Sequence, residues 1–300
     1  MKLTIKDIAK LACVSTATVS MVINNKDERI SAQTRENILL IIKKYNYVPN
    51  RVASSMVTKT TKTIGLLIPD ITNPFFPEIA RGVEDKANAE GYTVILCNSD
   101  NVLSKEDAYI DMLQEKMVDG IIFTASSRRT DVSESLQRVR VPVVTVDRDI
   151  PNLLNHGMIA VNNERGAYDA VTYMIEKGYR KIHHISGPLT SKTAMDRYNG
   201  YTRAMKEKNI PILQHHLYEG AYTSEWGEEA IQQLIQDGHG FDSIFCGNDM
   251  IAAGVLKGLH RHGLNVPKDI GVVGFDDVDI AQLVTPELTT VRQPKYEMGS

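Results

Sequence analysis

The sequence predicts an α/β protein with an N-terminal helix-turn-helix head and two doubly wound parallel-sheet subdomains. Three observations support this prediction. Apolar residues near the N-terminus have helical spacing, short apolar runs alternate with helical patterns farther on, and charge divides the chain between these regions. We expect a head of residues 1–60 and a body of residues 61–300. The body is expected to comprise one subdomain of residues 61–161 plus 292–300, and a second of residues 162–291.

Charge is distributed unevenly along the chain. Residues 1–62 hold eleven Lys and Arg against four Asp and Glu, a balance of +7. The other 238 residues hold 23 against 33, a balance of −10. A basic head on an acidic body indicates that only the head meets a polyanion such as nucleic acid. A solvated Lys-rich surface is the alternative, and charge alone does not exclude it.

The head is predicted to contain three helices. Ile5–Ala12 places apolar residues at i, i+3, i+4 and i+7, and Thr4 is a suitable N-cap. Ser15 ends a three-residue turn and can cap a second helix. The inner face of that helix is formed by Val19, Val22 and Ile23. A third helix is expected around Thr34–Tyr45, which completes a helix-turn-helix domain. A generic three-helix bundle is the alternative that spacing alone leaves open.

A short small-residue segment follows the head. Asn50–Val57 is about two helical turns long, which is too short for a stable helix alone in water. The segment could become ordered against DNA, with Ala53 and Met56 on one face. Met56 would then act as an apolar wedge that opens a base step in the minor groove. A basic, Thr-rich linker leads from this segment into the body.

The body alternates between strands and helices in two series. The first has strands at Ile64–Pro69, Thr93–Asn98, Gly120–Thr124 and Val143–Val146, with helices near residues 76–90, 104–117 and 131–139. The second begins near Met158 and continues with strands at Lys181–Ser186, Leu217–Tyr218, Ser243–Cys246 and Ile270–Phe275, and helices near 164–177, 195–209, 224–236 and 249–262. This alternation predicts two parallel sheets, which bind ligands at the carboxyl ends of their strands.

Polar and aromatic residues follow the predicted strands or begin the predicted helices. The candidates are Asn73, Phe75, Phe76, Asp147, Arg148, Arg197, Tyr222, Asn248, Phe275, Asp276 and Gln293. Carboxylates accept hydrogen bonds from vicinal hydroxyls, Arg donates in a fork, and aromatic faces cover the C–H surface of a sugar. The set therefore suits a polyhydroxylated ring in a cleft between two sheets.

Each candidate also has a purely structural interpretation. Phe75–Phe76 could be core residues, Asp147–Arg148 could be a surface pair, and Asp276–Asp277 could be a solvated loop. Arg197 could cap a helix or bind a phosphate. Joint placement at the cleft ends of predicted strands favours a binding site over these separate explanations.

The head and the segment after it resemble a known family. "TIKDIAKLACVSTATVSMVIN" followed by "YVPNRVASSMV" is similar to the head and hinge of the LacI/GalR repressors, and the similarity extends through the whole chain. The resemblance implies that bases are read by Thr16, Ala17 and Met21. It implies phosphate contacts by Ser15, Ser20, Asn24, Ser31 and Thr34, and a hinge helix on DNA that includes Asn50, Ala53 and Met56.

Met21 departs from the pattern of that family, in which Arg or His is common at this position. An Arg can bond to guanine O6 and N7, whereas Met offers only apolar contact, for instance to a thymine methyl group. We therefore expect a DNA reader with an unusual preference at one base position.

The cleft candidates resemble, one by one, the sugar-contacting residues of periplasmic ribose-binding proteins. Arg148 is unlike the Trp often found after the corresponding Asp in purine-type regulators of the family. The resemblance therefore implies a body of the periplasmic-binding-protein type and a ribose repressor, from which D-ribose releases the DNA. Two-fold operators further imply a homodimer on double-stranded operator DNA. Another pentose, a hexose or a purine remains an alternative effector.

Other functional classes lack their sequence signals. The chain has no GxSxG, GxxxxGK[ST] or HExxH motif, so we expect no enzyme activity. Its three cysteines form no CxxC pair, which supports neither a disulfide framework nor a zinc site. His183–His184 lies in a strand pattern whose neighbours face opposite ways, and the remaining histidines lack acidic partners at ligand spacing. We expect no metal and no cofactor.

The N-terminus has no apolar signal region, and no run approaches the length that spans a membrane. We therefore expect a cytoplasmic protein, associated with the nucleoid when bound to DNA. A stand-alone sugar-binding transport protein is an alternative that a signal peptide would favour. The final residues, "KYEMGS", look like the start of a helix, and family members usually continue beyond this point, so we expect that the chain is truncated.

Overall fold

The computed structural model describes residues 3–49, 60–154 and 156–300. The chain divides into two compact units, residues 1–61 and residues 62–300. Asn50, Ala53 and Met56, for which DNA contacts were predicted, lie outside the described residues.

The first unit contains the three predicted helices. They are α1 (Ile5–Leu11), α2 (Thr16–Ile23) and α3 (Ala32–Lys44). Ser15 Oγ accepts a hydrogen bond from Thr18 N at 3.0 Å, and Ser31 Oγ accepts one from Thr34 N at 3.2 Å. These N-caps fix where α2 and α3 begin, which is why α3 starts two residues before the expected Thr34. The unit packs around a core of Ile8, Ala9, Ala12, Val19, Val22 and Ile38.

The second unit contains two parallel sheets of five strands each. The first sheet has the order β2-β1-β3-β4-β5. Its strands are β1 (Thr63–Ile68), β2 (Thr93–Asn98), β3 (Gly120–Phe123), β4 (Val143–Val146) and β5 (His156–Ile159). Its helices are α4 (Phe75–Ala89), α5 (Leu103–Glu115) and α6 (Glu134–Gln137). Every strand pairing in it is parallel.

The second sheet has the order β10-β9-β8-β6-β7. Its strands are β6 (Ile182–Ser186), β7 (Leu217–Glu219), β8 (Ser243–Cys246), β9 (Gly271–Asp276) and β10 (Thr289–Arg292). The helices from here to the end are α7 (Asn163–Glu176), α8 (Lys192–Glu207), α9 (Ser224–Gln236), α10 (Asp249–Arg261), α11 (Ile280–Leu283) and α12 (Lys295–Gly299), with a 3₁₀ turn at Gln214–His216 before β7.

Two assignments from the sequence are corrected. The strand near Met158 does not begin the second series, because β5 pairs with β4 in the first sheet, with Val143 opposite His156. The helix expected over residues 131–139 is confined to Glu134–Gln137, with Ser133 as its N-cap. The predicted strands at 64–69, 93–98, 120–124 and 143–146 match β1 to β4 to within one residue.

The chain returns to the first sheet after β9 and again after β10. Val278 and Met298 are both buried in the core that includes Leu66, Phe75 and Ile79. α12 packs on α4, where a side chain at Gly82 would collide with the Tyr296 carbonyl. Segments late in the sequence thus pack against the first sheet, whose strands all come from residues 63–159, while β10 is an edge strand of the second sheet. None of the described helices is long and apolar enough to cross a membrane.

Candidate functional site

Side chains at the carboxyl ends of strands from both sheets line one cavity. Its volume is about 230 Å³, which includes space open to solvent. The lining residues are Asn73, Phe75, Phe76, Asp147, Arg148, Thr193, Arg197, Tyr222, Asn248 and Asp276. Nine of them were predicted from the sequence, because parallel strands bring their carboxyl ends to the same edge of a sheet. Thr193 was not predicted.

Arg197 is buried in the second turn of α8 and is held by three oxygen atoms. Its Nε donates to Asn163 Oδ1 at 2.9 Å, and a terminal nitrogen donates to the Gly247 carbonyl at 2.5 Å. The other terminal nitrogen lies 3.4 Å from an Asp276 carboxylate oxygen. The guanidinium carbon lies 3.9 Å from the centroid of the Phe275 ring. These contacts fix the guanidinium in the cavity wall in one orientation.

Two predicted residues support the cavity without lining it. Phe275 packs in the core against α7 and beneath Arg197, because successive side chains of a strand point to opposite faces and Asp276 takes the cleft side. Gln293 is 2% exposed and donates from Nε2 to Asp276 Oδ1 at 2.7 Å. Both residues act through a neighbour that does line the cavity.

Asp147 and Arg148 follow β4 and are both buried. An Arg148 terminal nitrogen donates to the Ala125 carbonyl at 3.0 Å, whereas its Nε lies 3.6 Å from Asp147 Oδ2, which is too long for a hydrogen bond. The guanidinium carbon lies 5.6 Å from the Phe76 ring centroid and 5.7 Å from that of Tyr222. The pair therefore has hydrogen-bonding capacity left over.

Asparagine side chains use their oxygen atoms on nearby backbone groups. Asn73 Oδ1 accepts from Phe75 N at 3.1 Å at the start of α4. Asn248 Oδ1 accepts from Ile251 N at 2.9 Å and is the N-cap of α10. These backbone contacts orient each amide at the cavity wall, and the Asn248 amide nitrogen remains as a donor.

Several buried polar atoms at or behind the cavity have no hydrogen-bond partner among the described residues. They are Asp147 Oδ1, Arg148 Nε, Tyr222 Oη, Asn248 Nδ2 and, behind the cavity wall, Gln293 Oε1. Buried polar atoms in folded proteins almost always have partners. Arg148 Nε and Asn248 Nδ2 can donate, Asp147 Oδ1 can accept, and the Tyr222 hydroxyl can do either, so the lining suits a ligand that offers both hydrogen-bond donors and acceptors.

Burial dominates the electrostatics of the two cavity carboxylates. Burial raises the pKa of Asp276 to about 7, even though the neighbouring Arg197 acts in the opposite direction. Burial also raises the pKa of Asp147, against the attraction of Arg148. Both carboxyl groups are consequently easier to protonate than ordinary Asp side chains.

The first unit exposes the residues that were predicted to meet DNA. Thr16, Ala17 and Met21 lie on the outer face of α2, and Met21 is 42% exposed. Of the residues predicted to hold phosphates, Ser15, Asn24, Ser31 and Thr34 lie at or near the ends of α2 and α3, whereas Ser20 is half-buried within α2. Ser15 and Ser31 are the N-caps of α2 and α3, Thr34 bonds to Ser31, and the Asn24 side-chain nitrogen donates to the Ser20 carbonyl. Helix N-termini present backbone N–H groups that suit phosphate oxygens.

Family models match both units of the chain. Residues 4–50 match the model described as bacterial regulatory proteins, lacI family. Residues 61–300 match the model described as periplasmic binding proteins and sugar binding domain of LacI family. The chain belongs to the LacI family of bacterial regulatory proteins. As a member of this family it is a DNA-binding transcriptional regulator and not an enzyme, as the sequence predicted.

Relatives within the LacI family are similar over nearly the whole chain. The HTH-type transcriptional regulator RegA of Clostridium saccharobutylicum is 41% identical to this chain, and the alignment covers 100% of this chain and 90% of RegA. The ribose operon repressor of Halalkalibacterium halodurans is 40% identical, and the alignment covers 99% of this chain and 87% of that repressor. The HTH-type transcriptional repressor PurR of Vibrio atlanticus is 39% identical, with 99% and 88% covered. Relatives with different names are thus almost equally similar.

A solved structure of the family shares the fold. The lac repressor dimer bound to operator and the anti-inducer ONPF aligns with a TM-score of 0.86 at 25% identity. The alignment covers 100% of this chain and 90% of that chain. The helix-turn-helix head and the two-sheet body predicted from the sequence are therefore confirmed as a LacI family fold.

Three buried residues that hold this LacI family site together were missed by the sequence interpretation. Asn163 accepts from Arg197 Nε, and Lys295 donates to the Asp276 carbonyl at 2.9 Å. Asp249 accepts from Val278 N and from Thr290 Oγ1, which ties α10 to the chain after β9. Asp249 begins a predicted helix beside the candidate Asn248, but its partners Val278 and Thr290 lie in later segments. The roles of all three residues depend on contacts between segments far apart in sequence.

Proposed function

We propose that this LacI family member is a transcriptional repressor that binds D-ribose in the cleft and double-stranded operator DNA with its head. The observation that carries the proposal is the set of buried donors and acceptors without partners around Asp147, Arg148 and Asn248. A pentose presents several hydroxyl groups, each of which can donate and accept. A small polyol therefore matches the chemistry of the cavity.

The charges favour a neutral ligand over a phosphorylated one. Asp147 and Asp276 lie in the cavity wall, and their negative charge would oppose a bound phosphate group. The charge of Arg197 is already balanced in part by the Asp276 carboxylate 3.4 Å away, although N–H groups of its guanidinium remain to donate to a hydroxyl. The relative named ribose operon repressor supports the choice of sugar, whereas the relative named PurR supports a purine as the second candidate effector.

The proposal assigns roles to the three parts of the chain. In the head of residues 1–60, bases are read by Thr16, Ala17 and Met21 and phosphates are held by Ser15, Ser20, Asn24, Ser31 and Thr34. In the hinge, Asn50, Ala53 and Met56 contact the minor groove. The body of residues 61–300 binds the sugar between its two subdomains, residues 61–161 plus 292–300 and residues 162–291. We place the repressor in the cytoplasm, as a homodimer on a two-fold operator.

The proposed mechanism is a linkage between the sugar and the DNA. A sugar that contacts Asp147 from the first sheet and Asp276 from the second binds best to one arrangement of the two subdomains. If that arrangement differs from the one that suits the operator, the sugar lowers DNA affinity. A coupling free energy of about 1–3 kcal/mol corresponds to roughly five- to 150-fold in affinity.

Calorimetric titration of the full chain tests the effector. The panel contains D-ribose, two other pentoses, two hexoses and two purines, and operator affinity is measured with and without each compound. We expect D-ribose alone to bind and to weaken the operator complex. If a purine binds in place of D-ribose, the effector assignment changes, but the assignment of the protein as a repressor stands. If D-ribose at millimolar concentration neither binds nor changes DNA affinity, the ribose assignment is wrong.

A further inference from the structure

A cluster of histidines lies in the second sheet, apart from the cleft. Four of the eight histidines of the chain, His183, His215, His216 and His239, contact one another through their rings. His183 is the second residue of β6, so it lies towards the end of the strand opposite the cleft. His215 and His216 come from the 3₁₀ turn that leads into the edge strand β7. The sequence separates these residues by some thirty positions, and the fold brings them together.

Three of these rings point nitrogen atoms at one another. One ring nitrogen from each of His183, His215 and His216 lies within 4.8 Å of the others. The ring centroids of His183 and His216 are 4.6 Å apart, and those of His215 and His216 are 4.9 Å apart. Tetrahedral ligands around zinc are separated by a shorter distance, since each Zn–N bond is about 2.0–2.1 Å. Rotation of the His215 and His216 side chains towards His183 is what would bring the three nitrogens to that geometry.

His183 provides independent support for a ligand at this place. The residue is fully buried, and neither of its ring nitrogens has a hydrogen-bond partner among the described residues. Its neighbour on the strand, His184, faces the other side of the sheet, and His184 Nδ1 lies 2.9 Å from the Phe245 carbonyl. The contrast matters because a buried imidazole ordinarily has such a partner. The Lys181 backbone lies near the His183 ring, but neither ring nitrogen makes a hydrogen bond of ordinary geometry with the described residues.

The tautomer of His216 bears on metal binding, because the nitrogen that binds a metal ion must carry a lone pair. His216 Nδ1 accepts a long hydrogen bond of 3.4 Å from Leu213 N. Binding of His216 to a metal through Nε2 would require the ring to give up that bond and move its proton to Nδ1.

We propose that His183, His215 and His216 bind a divalent transition-metal ion of the zinc type. Imidazole is a preferred ligand of Zn²⁺, Cu²⁺ and Ni²⁺, and three imidazoles are a sufficient protein ligand set for zinc. The ring of His239 stacks on that of His215, with the ring centroids 3.8 Å apart, and so limits the orientations of His215. His215 is partly exposed and gives the ion access from solvent. The bound ion connects the 3₁₀ turn and β7 to β6.

The site is structural, and it does not depend on the proposed sugar or operator. β7 has only three residues and lies at the edge of the sheet, so few hydrogen bonds fix it. An ion held by His183 on β6 and by two residues before β7 joins these two strands. Because the ion binds the folded chain only, it stabilises the second sheet against unfolding. The metal thus raises the thermal midpoint without changing the chemistry of the cleft.

The test uses the full chain without a polyhistidine tag, after treatment with a chelator. Equilibrium dialysis against Zn²⁺ measures stoichiometry, the visible spectrum of added Co²⁺ reports the geometry, and thermal unfolding is followed with and without Zn²⁺. We expect one ion per chain, a tetrahedral Co²⁺ spectrum and a rise in the thermal midpoint. His215→Ala should lower the affinity for Zn²⁺ at least tenfold and remove the rise in the thermal midpoint. The variant should still fold, because His215 is partly exposed and its loss leaves the core intact.

His260→Ala is the matched control, because His260 is an exposed histidine on α10 outside the cluster. It should bind Zn²⁺ as tightly as the unaltered chain. The proposal is wrong if the chelator-treated chain binds no Zn²⁺ at micromolar concentration. It is equally wrong if His215→Ala binds as well as the unaltered chain, or if His260→Ala loses as much affinity as His215→Ala. These last two results would indicate adventitious binding at the surface.

Discussion

The two aspartates of the cavity, Asp147 and Asp276, share an unusual backbone conformation with positive φ. Their φ angles are 66° and 113°, in the region that side chains with a Cβ rarely adopt. Each is at the carboxyl end of a strand, and each is at most 5% exposed. Backbone strain of this kind persists where the surrounding structure fixes it, and it concentrates at binding sites. Here the fixing contacts include Gln293 and Lys295, which hold both the side chain and the carbonyl of Asp276.

The raised pKa of Asp276 predicts that D-ribose binding depends on pH. If the ionised carboxylate accepts from a sugar hydroxyl, affinity should rise with pH through about 7. One pH unit below its pKa the group is only about one-tenth ionised, so affinity at pH 6 should be about tenfold lower than at pH 8. Titration calorimetry at both values measures this. Asp276→Asn should bind weakly and with little pH dependence, and a full pH dependence in that variant would exclude Asp276 as its source.

The pH dependence of folding stability has the opposite sign from that of D-ribose affinity. The folded pKa of about 7 lies above the ordinary value of 3.8, so the folded chain holds this proton more tightly than the unfolded chain. The contribution of Asp276 to the free energy of unfolding is complete below about pH 4 and is lost as the pH rises towards 7. Sugar-free protein should therefore lose stability over the range in which it gains affinity for the sugar.

Arg197 offers a second prediction at this scale. Arg197→Ala should remove the hydrogen-bond donors of a fixed guanidinium from the cavity. D-ribose binding should then weaken by about 2 kcal/mol, which is roughly thirtyfold in affinity. Arg203→Ala is the control on the same helix, because Arg203 is exposed and pairs with Glu164 and Glu207 away from the cavity. Its sugar affinity should not change. Operator binding by Arg197→Ala should persist, and a loss of DNA binding equal to that of an unfolded chain would point to a structural role.

Residues of the cleft could be predicted from sequence because their positions follow from the strands. Asp147 comes directly after β4 and Asn248 just after β8, and parallel strands place such residues together. Asn163 and Lys295 could not be predicted, since their partners Arg197 and Asp276 lie in other segments. The histidine cluster was missed for the same reason. Within its own segment His183 has only His184 beside it, on the opposite face of the strand, whereas His215 and His216 approach it only in the folded chain.

Among the secondary-structure elements, the close packing of α9 on α10 depends on glycine. α9 and α10 cross where a Cβ on Gly254 would collide with the Ser224 carbonyl, and one on Gly227 with the Ile251 carbonyl. These carbonyl groups belong to helix backbone, so they cannot move out of the way as the end of a flexible side chain can. Gly254→Ala should therefore destabilise the chain by about 1–3 kcal/mol, measured by urea unfolding. Gly240→Ala is the control, because its nearest neighbour is the flexible Lys181 ammonium at 3.5 Å. Equal effects of the two changes would argue against the crossing.

The outer face of α2 predicts the base preference of the head. Met21 is exposed and has no hydrogen-bonding group for a base, so Met21→Arg should introduce a preference for guanine at one symmetric pair of operator positions. Selection on randomised operators measures the change, and salt dependence should alter little apart from any new phosphate contact. Lys10 lies on α1 outside this face, and Lys10→Arg should leave the preference unchanged. If both variants select the same operators as the parent, Met21 does not face the groove.

Short elements were the hardest to predict, because few residues carry their signal. β10 and α11 have four residues each and were not expected, and the four-residue α6 was predicted too long. Long helices such as α7 and α9 were predicted to within one or two residues, because several turns repeat the same apolar spacing. β5 was assigned to the wrong sheet because pairing depends on the return of the chain and not on local pattern.

At the scale of the whole molecule, contacts between the two sheets explain how a ligand could act on both. Lys295, the first residue of α12, donates to the Asp276 carbonyl and also lies 3.3 Å from Glu78 on α4. Within the second subdomain, Arg197 from α8 pairs with the same Asp276. A ligand that contacts Asp147 and Asp276 therefore adds to contacts that already join the subdomains. Such a ligand can favour one arrangement of the body over another by the difference in its affinity for the two.

Linkage requires the resulting coupling to be reciprocal. If D-ribose lowers operator affinity by a given factor, the operator must lower D-ribose affinity by the same factor. The test measures D-ribose affinity by calorimetry with free protein, with saturating operator and with saturating random DNA. Operator affinity is measured in parallel with and without the sugar. The two factors should agree, and random DNA should have a smaller effect because it does not engage the base-reading face of α2. Equal effects of operator and random DNA would mean that charge neutralisation of the head, and not the arrangement of the body, transmits the signal.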